Sequence, residues 1–387
     1  MSAKIVIGAD LVPTKSNYQY FRNGEANTLI GSELVEIINR SDFSIFNLEV
    51  PLTNMMDPIT KCGPNLMAPT DVLPGIAAMN IDFFTLANNH ILDHGSQGLE
   101  STIALLKKAN IAYAGAGFNL KDASEPYTIL INDIKIGIYC CAEHEFTIAS
   151  ENGAGANPFD PLESLDHISE LKKIVDFVIV LYHGGKEHYR YPSPNLQKIC
   201  RRIVDKGADL VVCQHSHCIG AEEQWREGTI VYGQGNFLFD YSESEYWQTS
   251  LLIEISLEKI SDHLNYNLVY HPLVKYKNKV RIAEKSKADQ ILFEFKKRSS
   301  DILEPNRIHI EYSKLANSFL PRYFNGFCGS LSRNFIFRGL NKISGYRFGL
   351  WIQKYQYNKK SNIILNNMIE CESHRELILQ GLKNSYK

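Results

Sequence analysis

Short apolar runs alternate with helix-like segments through the first 270 residues of the chain. Six of the runs are KIVIG, FSIFN, DFFTLA, DFVIVLYH, ADLVVC and TIVYG. The intervening patterns predict helices over 29–39, 72–79, 99–108, 162–174 and 194–204. A hairpin is predicted over 127–141, with its turn at Asn132-Asp133, and two closing strands in SLLIEISL and LNYNLVYH. Continuous apolar runs separated by helices indicate the buried strands of a layered α/β protein, not of an all-β one.

Side chains that bind metals or protons follow five of these runs, at the point where each run ends. They are Asp10, Glu49, Asn89 with His90, His183, and His215 with His217. Because binding sites in open α/β sheets form outside the carboxyl ends of the strands, we expect the five ends to share one crevice. Oxygen and nitrogen ligands of this kind suit Mn, Fe or Zn, so the sequence predicts a site for a divalent metal ion.

The two histidines of QHSH lie two residues apart on a segment that continues a strand. On an extended segment such side chains point to the same side, so His215 and His217 are predicted to face one metal site. A lone histidine is more often a structural residue, and it is the whole group of strand ends that favours ligands. A zinc site using Cys213 and Cys218 is the rival interpretation. The spacing lacks the C-x₂₋₄-C and H-x₃₋₅-H ligand pairs of such sites, and Cys213 is therefore predicted to lie in the core.

Two further stretches carry candidate chemistry. In LANNHILDHG, His90 is predicted to be a general acid or base and Asp93 to orient its ring, the alternative for Asp93 being a helix N-cap. The stretch GQGNFLFD, which ends in Asp240, is expected to line the same crevice. Its alternative is a glycine turn followed by a buried aromatic pair.

Composition restricts the class of protein. The chain has 387 residues, 44% hydrophobic and 22% charged, as in an ordinary globular protein. No run approaches the roughly 20 apolar residues that span a bilayer, and the N-terminus resembles no signal peptide, so a cytoplasmic location is expected. Eight cysteines without a regular framework suit a reducing compartment.

Charge divides the chain. Residues 276–387 contain 21 Lys and Arg against 9 Asp and Glu, although the whole chain has a net charge of −2. We therefore predict a boundary near residue 275, with one domain over 1–275 and a C-terminal region over 276–387. Basic and aromatic residues are interleaved there. Peripheral contact with an anionic membrane surface is one interpretation, and a small helical subdomain with solvated charges is favoured. No nucleic-acid-binding module is recognisable.

Six motifs occur together in a specific order. They are GAD at 8–10, NLE at 47–49, NNHILDHG at 88–95, YHGGKEHYRYP at 182–192, GADLVVCQHSH at 207–217 and GQGNFLFD at 233–240. Each is weak alone, but the set, which covers about residues 4 to 245, resembles the CapA family of capsule and poly-gamma-glutamate synthesis proteins. The catalytic domain of that family is similar to calcineurin-like metallophosphoesterases.

The resemblance implies a four-layer α/β/β/α sandwich, followed here by a C-terminal helical appendage, and it implies a role for each candidate residue. Asp10 and Glu49 would be carboxylate ligands, with Glu49 bridging two metals. Asn89, His183 and His215 would complete the ligand set of one metal, and His217 would support the other. His90, with Asp93, would protonate the leaving oxygen, while Glu187 and Asn236 would bind substrate. One position departs from the wider superfamily, which has Asp-x-His in its first motif. Val12 stands where that histidine is expected, so the second metal loses a ligand.

The function that the resemblance implies is a metal-dependent hydrolase, in the first place a phosphoesterase. It would act in capsule, exopolysaccharide or poly-gamma-glutamate biosynthesis, on a phosphorylated or polymer-precursor substrate and in company with a surface-polymer synthesis complex. Two alternatives stay open. The chain could be a non-catalytic scaffold of a polymer synthase, or an amide hydrolase that acts on a glutamyl polymer.

Overall fold

The computed structural model describes residues 1–240, 242–260, 263–327, 334–345 and 347–370, together with 374, 375, 378 and 382. The chain divides into two compact units, Met1–Ile308 and His309–Lys387. Every strand of the described residues lies in the first unit, which also holds all the candidate site residues. In the part of the chain that is described, no helix is both long enough and apolar enough to cross a bilayer.

The first sheet has eight strands. They are β1 (Ser2–Leu11), β2 (Phe43–Leu48), β3 (Phe83–Thr85), β4 (Ala112–Ala114), β13 (Asn236–Leu238), β14 (Thr249–Ile260), β15 (His263–Tyr276) and β16 (Lys279–Ile282). Their order is β16-β15-β14-β1-β2-β3-β4, and β13 pairs with the end of β1. Strands β1 to β4 are parallel, so their carboxyl ends meet at one edge, whereas β14 to β16 are antiparallel.

The second sheet has six strands. They are β6 (Tyr127–Ile131), β7 (Ile134–Ala142), β9 (Phe177–His183), β10 (Leu210–Gln214), β11 (Glu222–Trp225) and β12 (Gly228–Val231), in the order β11-β12-β10-β9-β7-β6. A small third sheet pairs β5 (Ala116–Gly117) with β8 (Gly155–Ala156). The predicted hairpin is β6 and β7, and its turn residues Asn132 and Asp133 have φ of 47° and 63°, the conformation that tight hairpin turns require.

Helices connect the strands and cover the outer faces of both sheets. In the first unit they are α1 (Tyr18–Arg22), α2 (Ala26–Ile30), α3 (Ser32–Asn39), α4 (Leu73–Ala78), α5 (Gly95–Lys108), α6 (Leu120–Ser124), α7 (Ser164–Ile174), α8 (Pro194–Asp205) and α9 (Lys285–Asp301), followed by α10 (Arg307–Phe327), which begins there. The remaining helices are α11 (Phe335–Ile343), α12 (Arg347–Gln356) and α13 (Lys359–Glu370). Short 3₁₀ turns occur at Thr70–Val72 and Glu245–Trp247.

Alternate residues of the central strands enter different layers of the core, which explains their continuous apolar runs. In β1, Ile5 and Ile7 pack between the two sheets, whereas Val6 packs under the helices. In β9, Ile179 points between the sheets and Val180 packs under α7 and α8. Strands that are buried on both faces need apolar side chains at every position. The four-layer α/β/β/α sandwich is thus confirmed.

The C-terminal part of the chain follows the sandwich as helices, which confirms a helical appendage in the described residues. Strand β16 lies within the basic region but belongs to the first sheet. Helix α9 packs against that sheet through Ile291 and Phe295. The compact units separate after Ile308. The domain boundary near residue 275 stays a prediction.

Candidate metal centre

The parallel strands of both sheets deliver the predicted ligands to one place. Asp10 is on β1, Glu49 follows β2, and Asn89 and His90 follow β3. From the second sheet, His183 ends β9, and His215 and His217 follow β10. In the pairing register Asp10 lies opposite Asn236 of β13, and His183 lies opposite Gln214 of β10. The carboxyl ends of the strands therefore converge on one buried site.

Two groups of side chains have ligand atoms close enough to hold a metal ion. The first triad is Glu49, His183 and His215, and the second triad is Asp10, Glu49 and His217. In each triad the ligand atoms lie within 4.8 Å of one another. Glu49 belongs to both triads, the position that a bridging carboxylate requires. The ligand roles themselves stay predictions.

The first triad is extended by Asn89. The Oδ1 atom of Asn89 lies 3.1 Å from Nε2 of His183, and the same nitrogen lies 3.1 Å from Nδ1 of His215. Oε1 of Glu49 is 3.4 Å from it. Four atoms that can ligate a metal, from four segments of the chain, thus face one another. Side chains adopt this arrangement around a shared cation.

The carboxylate of Glu49 is the least satisfied group of the site. Its side chain is 0% exposed, and neither oxygen has a hydrogen-bond donor among the described residues. Oδ2 of Asp10 is in the same situation. Buried carboxylates without donors are costly unless a cation neutralises them. The donor set of carboxylates, imidazoles and an amide fits Mn, Fe or Zn.

Burial and charge shift the pKa values of the histidines in the two triads in opposite directions. Burial lowers the pKa of His183 to about 4 and that of His215 well below its usual value, so both imidazoles are neutral at pH 7. Burial also opposes protonation of His217, but Glu49 and Asp10 outweigh it and raise its pKa to about 9. Burial, with the charge of Asp10, raises the pKa of Glu49 to about 8. Burial alone would raise the pKa of Asp10, and His217 lowers it instead.

The reason given above for pairing His215 with His217 is wrong, although their proximity is real. Strand β10 ends at Gln214, and the two histidines have φ of 87° and 53°, which is left-handed backbone, not extended strand. Their ring centroids are 5.9 Å apart. Non-glycine residues rarely adopt such angles, which occur in tight turns and in strained backbone at functional sites. A strained turn, not strand alternation, brings both rings to the site.

Two asparagines that the sequence analysis did not single out hold the ligands in place. Asn47 donates to Oδ1 of Asp10 at 2.8 Å, and Asn88 donates to the Oδ1 of Asn47 at 3.0 Å. Oδ1 of Asn88 in turn accepts from the backbone N–H of His90 at 3.1 Å. Each precedes a predicted ligand by one or two residues. Asn47 is a polar residue inside the apolar run of β2, which is the signal that could have found it, whereas Asn88 lies after the end of β3 and is marked only by its position next to Asn89.

His90 and Asp93 form a buried pair, and Lys61 completes it. Nδ1 of His90 donates to Oδ2 of Asp93 at 2.6 Å, which leaves Nε2 as the nitrogen that can exchange a proton. Asp93 also accepts from the backbone N–H of Leu66 at 2.6 Å and from Nζ of Lys61. The helix N-cap interpretation of Asp93 is wrong, because α5 begins at Gly95 and its N-cap is His94. Lys61 comes from a long loop with no local pattern, and sequence reasoning missed it.

Aromatic side chains form one wall beside His217. Phe239 and Trp247 have ring centroids 5.8 and 5.2 Å from it, and Nε1 of Trp247 donates to Nε2 of His188 at 2.9 Å. The stretch GQGNFLFD therefore lines the crevice with Phe239, while its other phenylalanine, Phe237, packs in the core. Asp240 accepts a 2.8 Å hydrogen bond from Ser16.

The two residues assigned to substrate binding lie in different environments. Oδ1 of Asn236 accepts from Nδ1 of His217 at 2.8 Å, and its buried Nδ2 has no acceptor among the described residues. Glu187 is exposed, and its pKa is lowered because His215 and His217 outweigh the effect of its partial burial. Asn236 thus orients the ring of His217 from within the protein, whereas Glu187 is exposed and close enough to His215 and His217 to feel their charge.

The cysteines next to the histidines lie outside this arrangement. In the part of the chain that the structure describes, neither triad contains a cysteine. Cys213 packs in the core under α7 and α8, as predicted, with its Sγ 3.6 Å from that of Cys200. Cys218 is fully buried, and burial raises its pKa to about 11.

Comparison with known proteins gives relatives of this chain. The capsule biosynthesis protein CapA of Bacillus anthracis is 29% identical, with 55% of this chain and 58% of that protein covered. The PGA biosynthesis protein CapA of Bacillus subtilis is 30% identical, with 58% and 60% covered. The chain therefore spans about three fifths of the length of these relatives. A solved putative 5'-nucleotidase from Staphylococcus aureus in complex with alpha-ketoglutarate is 13% identical over 76% of this chain and 58% of that one, with a TM-score of 0.44, a likeness that carries no argument about chemistry.

A family model covers a larger and continuous part of the sequence. The model described as bacterial capsule synthesis protein PGA_cap matches residues 4–241. That span contains both triads, the pair of His90 and Asp93, and Asn236. Since the match extends over more than half of the 387 residues, the chain belongs to the PGA_cap family of bacterial capsule synthesis proteins.

Proposed function

We propose that this protein is a metal-dependent hydrolase that acts in the synthesis of a capsule or another surface polymer. The observation that carries the proposal is the carboxylate of Glu49. It is completely buried, it lacks a hydrogen-bond donor in the described chain, and it is shared by two triads of ligand atoms. A structural carboxylate would be paired with a donor, whereas a bridging ligand keeps its lone pairs for cations.

The two triads would each hold a divalent ion. The first triad with Asn89 would hold one divalent ion, and the second triad would hold another through Asp10 and His217. Such an ion supplies Lewis-acid chemistry, which activates water at neutral pH and stabilises negative charge on an ester oxygen. Asn47 and Asn236 fix the orientation of Asp10 and His217, the usual role of groups that surround metal ligands.

His90 would give a proton to the leaving oxygen. Its Nδ1 is occupied by Asp93, so the proton is exchanged at Nε2. Because Nδ1 already donates to Asp93, the 3.2 Å approach of Lys61 to that nitrogen is no hydrogen bond, and Lys61 acts on the carboxylate. Lys61 is thus a positioning residue: it holds Asp93 in the orientation that fixes the ring of His90.

The biological setting is supported by the family and by the names of the relatives. Both Bacillus proteins are named for capsule or PGA biosynthesis. We propose that the substrate is a phosphorylated precursor or a segment of the polymer, and that the protein works beside a polymer-synthesising complex. A phosphoester is the first bond to test, because two metal ions sharing one carboxylate suit in-line displacement at phosphorus.

A non-catalytic scaffold is the second candidate, and Val12 is the observation that favours it. Val12 is 2% exposed and packs in the apolar core with Leu11 and Phe46. No histidine therefore reaches the second triad from that position. A chain that binds one metal ion but shows no hydrolysis would support the scaffold.

The test is to measure metal content and hydrolysis in the same preparations. Protein loaded with Mn²⁺ or Zn²⁺ is analysed by elemental mass spectrometry and assayed with a phosphomonoester and a phosphodiester. We expect Glu49→Gln to lose bound metal and activity together, since both triads lose their shared ligand. Glu254→Gln is the matched control: Glu254 is also buried, but its partners are His271 and Arg40. Equal metal content in Glu49→Gln and the wild type would contradict the proposal.

A further inference from the structure

A cavity lies beside the metal centre, and none of the residues that line it belongs to either triad. Its volume is about 440 Å³, enough for an amino-acid-sized group. The charged residues that line it are Arg190, Glu245, Lys287, Glu294 and Arg298. The cavity is closed on one side by α9, which supplies the last three of these.

Two arginine side chains are fixed in this cavity by neighbouring backbone carbonyls. Nε of Arg298 donates to the carbonyl of Gly220 at 2.8 Å, and Nη1 of Arg190 donates to the carbonyl of Ile219 at 3.4 Å. The backbone carbonyls of the consecutive residues Ile219 and Gly220 thus each hold one guanidinium group. Each anchor uses only one of the five N–H donors of a guanidinium group, so both residues that line the cavity keep donors for another partner.

The two guanidinium groups are incompletely neutralised. Burial, and then the charge of Arg190, lower the pKa of Arg298, which shows that the two cations act on each other. The carboxylates in reach are weak partners. Glu245 lies 3.8 Å from Arg190 and is 75% exposed, and Glu294 lies 4.0 Å from Arg298 and is 48% exposed. Exposed ion pairs at such distances contribute little.

The cavity is adjacent to the second triad. Ile219 follows His217 by two residues, so their Cα atoms are at most about 7 Å apart. The 3₁₀ turn Glu245–Trp247 separates the two sites: Glu245 lines the cavity, while Trp247 contacts His217. Between them, the ring of Tyr246 lies under the guanidinium of Arg190 at 4.9 Å. A single turn of chain therefore separates the cavity from the second triad.

We propose that this cavity binds a carboxylate group carried by the molecule on which the metal centre acts. The proposal rests on the proposed function for the identity of that molecule, but binding can be measured without turnover. Three cations and two carboxylates line the cavity, a balance of one positive charge, which matches a monoanionic carboxylate better than a phosphate dianion. Paired guanidinium forks bind the two oxygens of a carboxylate in one plane. The ligand class is thus a molecule that carries a free carboxylate close to the part bound at the metal centre.

The experiment uses the full-length chain loaded with Mn²⁺ and a pentamer of γ-linked glutamate as the probe, with calorimetry as the readout. A pentamer of γ-linked glutamine and inorganic phosphate are the comparison ligands. Arg298 is buried, so the variants are Arg190→Gln and the exposed Lys287→Gln. Arg22→Gln is the matched control, because Arg22 is half exposed and pairs with Asp71 far along the surface. Metal content and melting temperature are recorded for each variant.

We expect the glutamate pentamer to bind at least about tenfold more tightly than the glutamine pentamer, and Arg190→Gln to reduce that affinity about tenfold. Lys287→Gln should reduce it about threefold at the exposed rim, and Arg22→Gln should leave it unchanged. Wild-type affinity in both cavity variants would overturn the proposal. It would also be overturned if inorganic phosphate displaced the pentamer more effectively than glutarate, a small dicarboxylate, does.

The two proposals fail separately. If His215→Ala loses both metal and pentamer binding, the affinity belongs to the metal centre and the carboxylate cavity is refuted. If the cavity variants weaken binding but no phosphoester or amide is cleaved, the cavity stands and the hydrolase proposal falls.

Discussion

The two halves of the metal centre share Glu49 but are prepared differently for a cation. The first triad adds two neutral imidazoles, and Asn89 supplies a further oxygen. The second triad adds Asp10 and a histidine with a pKa of about 9, whose Nδ1 lies 3.4 Å from Oδ2 of Asp10. The first half therefore needs a cation to satisfy its lone pairs, whereas the second half already contains a proton that balances its charge.

Two sites that share one carboxylate can therefore differ in how readily they accept a cation. A metal ion in the first triad meets imidazoles that are already deprotonated. A metal ion in the second triad must displace a proton from His217, and position 12 offers an apolar side chain instead of a further ligand. We therefore expect metal ions to fill the first triad before the second.

The largest expected effect compares the two histidines that follow β10. His215→Ala should lower metal affinity by more than about 100-fold and abolish activity, because the first triad keeps a single imidazole. His217→Ala should lower the affinity of the second ion only, by about tenfold, and leave one tightly bound ion per chain. Elemental analysis after dialysis measures both. Equal losses in the two variants would show that the halves are equivalent.

The second prediction separates metal binding from proton transfer. His90→Ala should keep its metal content, because His90 belongs to neither triad, but its turnover should fall by ~10²–10⁴-fold. Measuring both in one preparation decides between the roles. Full activity in His90→Ala would remove His90 from the mechanism, and metal loss would make it a ligand.

The third prediction concerns pH. In the metal-free protein, the pKa values of Glu49 and His217 are raised to about 8 and about 9, so both groups hold a proton at pH 7. Binding must release these protons, so Mn²⁺ affinity should rise with pH until each pKa is passed. The rise should reach about tenfold per pH unit for each proton released. The first ion should release the proton of Glu49 and the second ion the proton of His217, so the affinity of the first ion should level off near pH 8 and that of the second near pH 9.

Calorimetric titration at pH 6.5, 7.5 and 8.5 measures this dependence. Repeating each titration in two buffers with different ionisation enthalpies counts the protons released. His183 and His215, with lowered pKa values, should contribute none in this range. An affinity that is constant from pH 6.5 to 8.5 would mean that neither Glu49 nor His217 is protonated in the metal-free site.

Most of the fold could be predicted from the sequence because periodicity is a local property. The apolar runs of β1, β9 and β10 and the turn at Asn132-Asp133 were recognisable from a few adjacent residues each. Burial on both faces makes a strand continuously apolar, and parallel strands place their ends at one edge. These two rules also placed the metal-binding candidates together.

The remaining features depend on contacts between distant segments. Lys61 reaches Asp93 from a loop 32 residues away, and nothing in that loop marks it as part of the site. Trp247 contacts His217 across 30 residues of chain. The left-handed turn at His215 and His217 follows from no local preference, since both residues ordinarily avoid positive φ. Such features appear only when the chain is folded.

The smallest expected effect concerns Asn236, which contacts the second triad alone. Its Oδ1 accepts from Nδ1 of His217 at 2.8 Å and so directs the ring, and within the described residues it makes no hydrogen bond to Glu49, His183 or His215. Asn236→Ala should weaken the second metal ion by about tenfold, the usual effect of removing a group that orients a ligand, and leave the first ion unaffected. Asn236→Asp is the matched variant: a carboxylate in the same place keeps the acceptor and should retain the second ion. Titration with Mn²⁺ resolves the two sites. If Asn236→Ala weakens both ions to the same extent, then Asn236 acts through Glu49, and the two halves are more tightly coupled than their contacts indicate.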